Sequence, residues 1–168
     1  MNYANILRAD IANGQGFRVS LFVSGCARNC KGCFNKEAQD SAFGKQFDDK
    51  AKKKIFKELE HEWCRGVSFL GGEPLSKLSD NRKVIIELAK EIREKFPEKT
   101  QFLWTGYLFD EILKDKDMKD ILNYIDVLID GPFIEEQKDL TLKWRGSSNQ
   151  HIINVVKWRQ TGKVSYIG

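Results

Sequence analysis

The alternation of apolar and polar stretches along the chain predicts strands and helices in turn. Short apolar runs, typical of buried strands, occupy residues 17–24, 66–70, 100–104, 126–130 and 151–156. Apolar residues at helical spacing occupy 48–63 and 79–96, and the segment 108–125 indicates one or two short helices. Because strands that alternate with helices favour βαβ crossovers, the pattern predicts an α/β fold with a parallel sheet.

The length and composition predict one domain, which we place at residues 1–168. A chain of 168 residues with 41% hydrophobic content is long enough for one core and short for two. The start, MNYANILRAD, carries charges where a secretory signal has an apolar region, and no apolar run approaches membrane-spanning length. We therefore expect a cytoplasmic protein that does not associate with membranes.

The net charge does not indicate nucleic-acid binding. The formal charge of +4 is spread through mixed Lys/Glu stretches, and no aromatic-rich basic patch accompanies it. We interpret the excess of basic residues as favouring solubility.

Three of the four cysteines lie close together, at Cys26, Cys30 and Cys33, while Cys64 is predicted to be a core thiol. In the cytosol, clustered cysteines are more often metal ligands or redox centres than structural disulfides. The C-x3-C-x2-C spacing directly follows the first predicted strand. The cluster is therefore the first candidate for chemistry.

Three thiols fit some metal and redox sites better than others. A structural zinc site usually has four protein ligands, and neither His61 nor His151 lies at a finger-like spacing from the cluster. A redox disulfide between the second and third cysteines leaves the first unexplained. A 4Fe-4S cluster normally takes one cysteine per iron, so three cysteines leave one iron with an open position.

Four polar loops follow successive predicted strands: the cysteine loop, GGEP at 71–74, TGY at 105–107 and DGPF at 130–133. In parallel α/β folds, the carboxyl ends of the strands meet at one edge, where loops build the site. A complete eight-stranded barrel needs roughly 200 residues or more. The chain is therefore predicted to form a partial, incomplete parallel β/α barrel whose site is open on one side.

Each of these loops is also consistent with an ordinary turn. In GGEP, however, Gly71 and Gly72 allow a ligand to approach the backbone, and the Glu73 carboxylate can pair with a ligand ammonium. Thr105 in TGY carries a weak signal, and Asp130 is equally consistent with a turn before Gly-Pro.

The cysteine spacing followed by GGEP resembles the radical S-adenosylmethionine (SAM) enzymes. The resemblance implies that Cys26, Cys30 and Cys33 bind a 4Fe-4S cluster, and that the amino and carboxylate groups of SAM chelate the fourth iron. It also implies roles in SAM binding for Gly71, Gly72, Glu73, Thr105 and Asp130. The superfamily commonly has an aromatic residue before the third cysteine; here Gly32 stands there and Phe34 follows the cysteine, so both are candidates near the adenine.

Within that superfamily, four segments resemble the activases of anaerobic ribonucleotide reductases: DIANGQGFRVSLFVSGCARNCKGCFN, VSFLGGEPL, DVLIDGPFIEEQKD and WRGSSNQHII. The resemblance implies reductive cleavage of SAM and a 5′-deoxyadenosyl radical that abstracts hydrogen from a glycine of the anaerobic ribonucleoside-triphosphate reductase. It also implies flavodoxin or ferredoxin as electron donor. The loop WRGSSNQ, with Arg145, Ser147 and Asn149, is a candidate contact with the reductase.

Other functions stay open at this stage. A small radical SAM protein of this kind could activate a formate-lyase type of glycyl radical enzyme, or act on a small molecule as in deazaguanine biosynthesis. From a different class, the chain could be an iron–sulfur electron carrier in which GGEP is only a turn. An electron carrier would not cleave SAM under reducing conditions.

Overall fold

The computed structural model describes all 168 residues, and its strands join in one seven-stranded sheet. The strands are β1 (Asn2–Asp10), β2 (Arg18–Val23), β3 (Lys45–Gln46), β4 (Gly66–Gly71), β5 (Thr100–Trp104), β6 (Val127–Asp130) and β7 (His151–Asn154). Their order across the sheet is β3-β1-β2-β4-β5-β6-β7. The architecture is therefore mixed α/β with a single sheet.

The helices lie mainly in the connections between parallel strands. They are α1 (Asp49–Leu59), α2 (Asn81–Lys95), α3 (Phe109–Lys114), α4 (Lys116–Lys119) and α5 (Val155–Thr161). Short 3₁₀ turns occupy Glu37–Gln39, Asp120–Asn123 and Glu135–Gln137. The two long predicted helices and the pair of short ones are confirmed, with ends trimmed by a few residues.

The predicted parallel sheet is confirmed for its four central strands. β2, β4, β5 and β6 pair in parallel, and each neighbouring pair is joined through at least one helix. β2 and β4 are buried almost throughout, as expected for strands covered on both faces.

At both edges the sheet is antiparallel, which differs from the parallel sheet that the sequence predicted. β7 runs antiparallel to β6, because the connection over 131–150 contains one 3₁₀ turn and no crossover helix. The predicted strand 151–156 ends at Asn154, and α5 begins at Val155. β1 and β3 were not predicted, and both pair antiparallel at the other edge.

The core lies between the sheet and the helices. Ile55 and Leu59 of α1 and Ile85 and Leu88 of α2 are buried in one apolar cluster with the inward side chains of the strands. Cys64 belongs to the same cluster, which confirms its prediction as a core thiol. Burial of large aliphatic side chains of this kind stabilises the fold by roughly 1.5–3 kcal/mol each.

No helix of this chain combines the length and the apolar character that crossing a lipid bilayer requires.

Candidate functional site

The four predicted loops meet at the carboxyl edge of the parallel strands, as the sequence indicated. They surround a cavity of about 250 Å³, to which the segment 144–150 also contributes. All three clustered cysteines line this cavity, together with residues that follow β4, β5 and β6. The sheet thus brings reactive and polar side chains from distant parts of the chain together in one cavity.

The cysteine loop leaves β2 and turns back on itself before Glu37–Gln39. Backbone hydrogen bonds from Gly25 to Ala38 and from Cys26 to Gln39 hold its two ends together. Asn29 has a φ of 48° and Gly32 a φ of 70°, so the loop uses two left-handed positions to turn between its cysteines. This geometry presents the three thiols to one cavity.

Cys26, Cys30 and Cys33 are partly buried free thiols. Burial raises the pKa of the Cys26 thiol. No three His, Cys, Asp or Glu side chains converge on a point that would hold a single ion. Three thiols that line one cavity are the donor type that iron–sulfur clusters use.

Gly71 and Gly72 lie where backbones approach closely. Gly71 has a φ of 112°, and a Cβ there would lie 2.6 Å from the backbone nitrogen of Val23. A Cβ on Gly72 would lie 2.7 Å from the carbonyl oxygen of Ala38. Gly71 therefore packs against the end of β2 and Gly72 against the two ends of the cysteine loop, and both line the cavity.

Glu73 links the loop after β4 to the loop after β5. Its carboxylate is buried and accepts hydrogen bonds from Leu75 N (3.0 Å), Thr105 Oγ1 (2.7 Å) and Gly106 N (2.8 Å). Burial raises the pKa of this carboxyl group. Glu73 and Thr105 both line the cavity, so the two predicted residues are brought together as a hydrogen-bonded pair.

Gly32 and Asp130 do not line the cavity. A Cβ on Gly32 would lie 2.7 Å from the Glu135 carboxylate, so this glycine faces the turn after β6. The Asp130 carboxylate accepts hydrogen bonds from Phe109 N (2.8 Å) at the start of α3 and from His151 N (3.2 Å), and it contacts His151 Nδ1 (3.0 Å). Gly32 is therefore exposed on the outside of the cysteine loop, whereas Asp130 is buried beside the start of α3.

Phe34 lies at the mouth of the cavity and is 58% exposed. Its ring packs against Phe133 with centroids 5.0 Å apart, and Lys138 Nζ lies 5.1 Å from its centroid. An exposed aromatic face at a cavity mouth can stack on a planar ring.

The segment 144–150 is held against the turn after β6. Arg145 Nη1 donates to the Gln150 carbonyl (3.1 Å), and Asn149 Nδ2 donates to the Pro132 carbonyl (2.8 Å). Ser147 is fully buried, and its hydroxyl accepts a hydrogen bond from Ile134 N (3.1 Å). The prediction that Ser147 contacts a partner is corrected, since it has no exposed surface; Arg145 and Asn149 are partly exposed.

Comparison with known proteins agrees with this geometry. The sequence model of a family described as "4Fe-4S single cluster domain" matches residues 12–153. A protein of Haemophilus influenzae is 42% identical over 154 residues, which cover 90% of this chain and 97% of the relative. A relative from Escherichia coli K12 is 39% identical over 152 residues, which cover 89% of this chain and 96% of the relative. A relative from phage T4 is 38% identical over 154 residues, which cover 90% of this chain and 93% of the relative.

All three relatives carry the name anaerobic ribonucleoside-triphosphate reductase-activating protein. The chain belongs to this family of activating proteins. The match to a 4Fe-4S domain agrees with the iron–sulfur site that the three thiols had indicated.

In this activating protein, the structure adds cavity residues that the sequence analysis missed: Asn13, Arg28, Trp104, Trp144 and Gln150. Trp104 ends β5 directly before Thr105, so the argument from strand ends could have found it. Trp104 Nε1 donates to the Trp144 carbonyl (2.8 Å), which attaches segment 144–150 to β5. Arg28 lies inside the cysteine motif, but its spacing alone gives no sign that it faces the cavity.

Replacing Asp130 with alanine is expected to destabilise the fold rather than to weaken SAM binding. The change removes the acceptor for Phe109 N and His151, which costs about 1–3 kcal/mol of the free energy of unfolding. Urea unfolding measures this loss, with exposed Asp110→Ala in α3 as control. If Asp130→Ala retains its stability and instead loses affinity for SAM, Asp130 contacts the cosubstrate after all.

Proposed function

We propose that this protein is the radical SAM activase of an anaerobic ribonucleoside-triphosphate reductase. It holds a 4Fe-4S cluster on Cys26, Cys30 and Cys33, and it binds SAM beside the cluster. The observation that carries the proposal is the convergence of these thiols and the GGEP loop on one cavity, in a chain of this family.

When bound, the cluster supplies the electron that cleaves SAM, and the resulting 5′-deoxyadenosyl radical takes a hydrogen atom from the Cα of one glycine in the reductase. The residues of the chain supply ligands, orientation and shelter from water. Cys26, Cys30 and Cys33 would hold the cluster, and three protein ligands for four irons would leave a position open to SAM. Gly71, Gly72, Glu73, Thr105 and Phe34 line the space beside them and are proposed to bind the cosubstrate.

We propose that the sheet is the incomplete β/α barrel of radical SAM enzymes and that residues 1–168 act as one domain. Support comes from the four parallel strands and from β3 and β7, which lie at opposite ends of the sheet order. A cavity open on one side admits a glycine-bearing loop of a large protein. Glycine suits the reaction because its Cα carries no side chain and its radical is delocalised over both neighbouring amides.

The reaction needs a low-potential electron from outside the chain, and we propose flavodoxin or ferredoxin as its donor. We place the protein in the cytoplasm, without a nucleic-acid or membrane partner. The mixed distribution of Lys and Glu along the chain supports the absence of a nucleic-acid partner.

Replacing Arg145 with alanine is expected to weaken binding to the reductase by about tenfold, while iron content stays unchanged. Arg145 is partly exposed on the segment that borders the cavity, and it holds the Gln150 carbonyl. The affinity is measured as binding of each variant to surface-immobilised reductase. Lys163→Ala, at an exposed position, is the control. Equal affinities of Arg145→Ala and the unmodified chain would exclude Arg145 from the interface.

Release of 5′-deoxyadenosine tests the proposed function. Anaerobic protein with a full cluster is reduced and mixed with SAM, with or without the reductase, and the nucleoside is quantified by chromatography. We expect release that increases when the reductase is present. An electron carrier would give no release, and release that responds only to a formate-lyase type of enzyme or to a small molecule would assign another substrate.

A further inference from the structure

The cavity is lined by one acidic and one basic side chain, Glu73 and Arg28, while its other lining residues apart from the three cysteines are neutral. We propose that Arg28 binds the carboxylate of SAM and so fixes the amino-acid end of the cosubstrate. This inference rests on the proposed function. It assigns a positioning and specificity role to a residue that lies within the cysteine motif.

The fold positions Arg28 firmly at the cavity wall. It follows Cys26 by two residues, and its guanidinium carbon lies 4.4 Å from the centroid of the Tyr107 ring. Gly106 makes room for its side chain, since a Cβ there would lie 2.3 Å from Arg28 Cδ. Cation–π contact and this close fit hold the guanidinium between the loops after β2 and β5.

The guanidinium has hydrogen-bonding capacity that the protein leaves unused. Arg28 Nε is buried and has no hydrogen-bond partner. Its nearest carboxylates are Glu73, 3.9 Å from Nε, and Glu111, 3.9 Å from Nη2, which are beyond hydrogen-bond distance. Glu73 already accepts three hydrogen bonds from other groups. Because the side chain is 26% exposed, its terminal nitrogens stay open to a ligand group in the cavity.

The chemistry of SAM indicates which group that is. SAM carries a positive sulfonium, a positive ammonium and one negative carboxylate, so the carboxylate alone attracts an arginine. Planar guanidinium groups bind carboxylates through paired, charge-assisted hydrogen bonds.

The test compares SAM with decarboxylated SAM, which lacks the group in question. Equilibrium dialysis measures both dissociation constants on cluster-loaded protein, and iron content and the visible spectrum check the cluster. Arg28→Gln is expected to weaken SAM binding about 10- to 100-fold and to change binding of decarboxylated SAM less than about threefold. Lys31→Gln, an exposed cation of the same loop that does not line the cavity, is expected to affect neither ligand.

Arg28→Lys, which keeps the charge but loses the planar fork, is measured in parallel and is expected to give a smaller loss, again only for SAM. Equal losses for both ligands, or no loss for either, would overturn the role of Arg28 while leaving the activase function intact. Loss of iron in both variants would instead make Arg28 a structural part of the cysteine loop. Failure of the unmodified, cluster-loaded chain to bind SAM would overturn the proposed function and this inference together.

Discussion

Replacing any one of Cys26, Cys30 and Cys33 with alanine is expected to reduce SAM cleavage to background. Each thiol lines the cavity and is proposed to bind the cluster, and no further cysteine or histidine lines the cavity to replace the one removed. The remaining two thiols hold a cluster poorly, and iron content is expected to fall with activity. Iron and acid-labile sulfide analysis, together with 5′-deoxyadenosine release, measure both effects.

Cys64→Ala is the matched control for this experiment. Cys64 is buried in the core, away from the cavity, and its thiol donates only to the Gly66 carbonyl. Its replacement is expected to lower the free energy of unfolding by about 1 kcal/mol and to leave iron content intact. A clustered-cysteine variant that retains a full 4Fe-4S cluster and cleaves SAM would contradict the proposed ligand set.

The second large effect is expected from Gly71→Ala. The new Cβ would approach the Val23 backbone to 2.6 Å, and alanine at a φ of 112° is strained. Strain of about 1–3 kcal/mol and overpacking of about 1–3 kcal/mol together lower the free energy of unfolding by about 2–6 kcal/mol. Because β2 and β4 carry the cysteine and GGEP loops, we also expect weaker SAM binding. Urea unfolding and equilibrium dialysis measure the two effects.

Gly162→Ala separates backbone strain from close packing. Gly162 has a φ of 70°, but a Cβ there would meet no heavy atom within 4 Å. Its replacement is expected to cost only the strain of an alanine in the left-handed region, about 1 kcal/mol. Equal losses for the two variants would show that the close approach to Val23 contributes nothing.

The sequence predicted the central strands well because parallel strands buried on both faces appear as continuous apolar runs. β4, GVSFLG, is such a run, and its end places Glu73 correctly at the site. β1, NYANILRAD, carries only one buried residue, Tyr3, so its pattern gives no clear signal. The direction of β7 depends on the connection over 131–150, whose path the hydrophobic pattern does not reveal.

Within the site, residue type and spacing identified the thiols and the loops but not the directions of individual side chains. The Asp130 carboxylate faces the start of α3, which a weak helical pattern over 108–125 could not locate to the residue. Ser147 is buried because segment 144–150 folds against the turn after β6, a contact between distant parts of the chain. Arg28 faces the cavity because Gly106 leaves it room. These are tertiary contacts, which local sequence does not encode.

The most direct test of the activase function is electron paramagnetic resonance on the reductase after activation. The reduced, cluster-loaded chain and SAM are mixed anaerobically with reductase that contains either ordinary glycine or glycine deuterated at Cα. The account predicts a doublet from ordinary reductase, split by the remaining Cα hydrogen, that collapses to a narrow line with the deuterated protein. The absence of any radical signal on the reductase, from a chain shown to hold a full cluster, would contradict it.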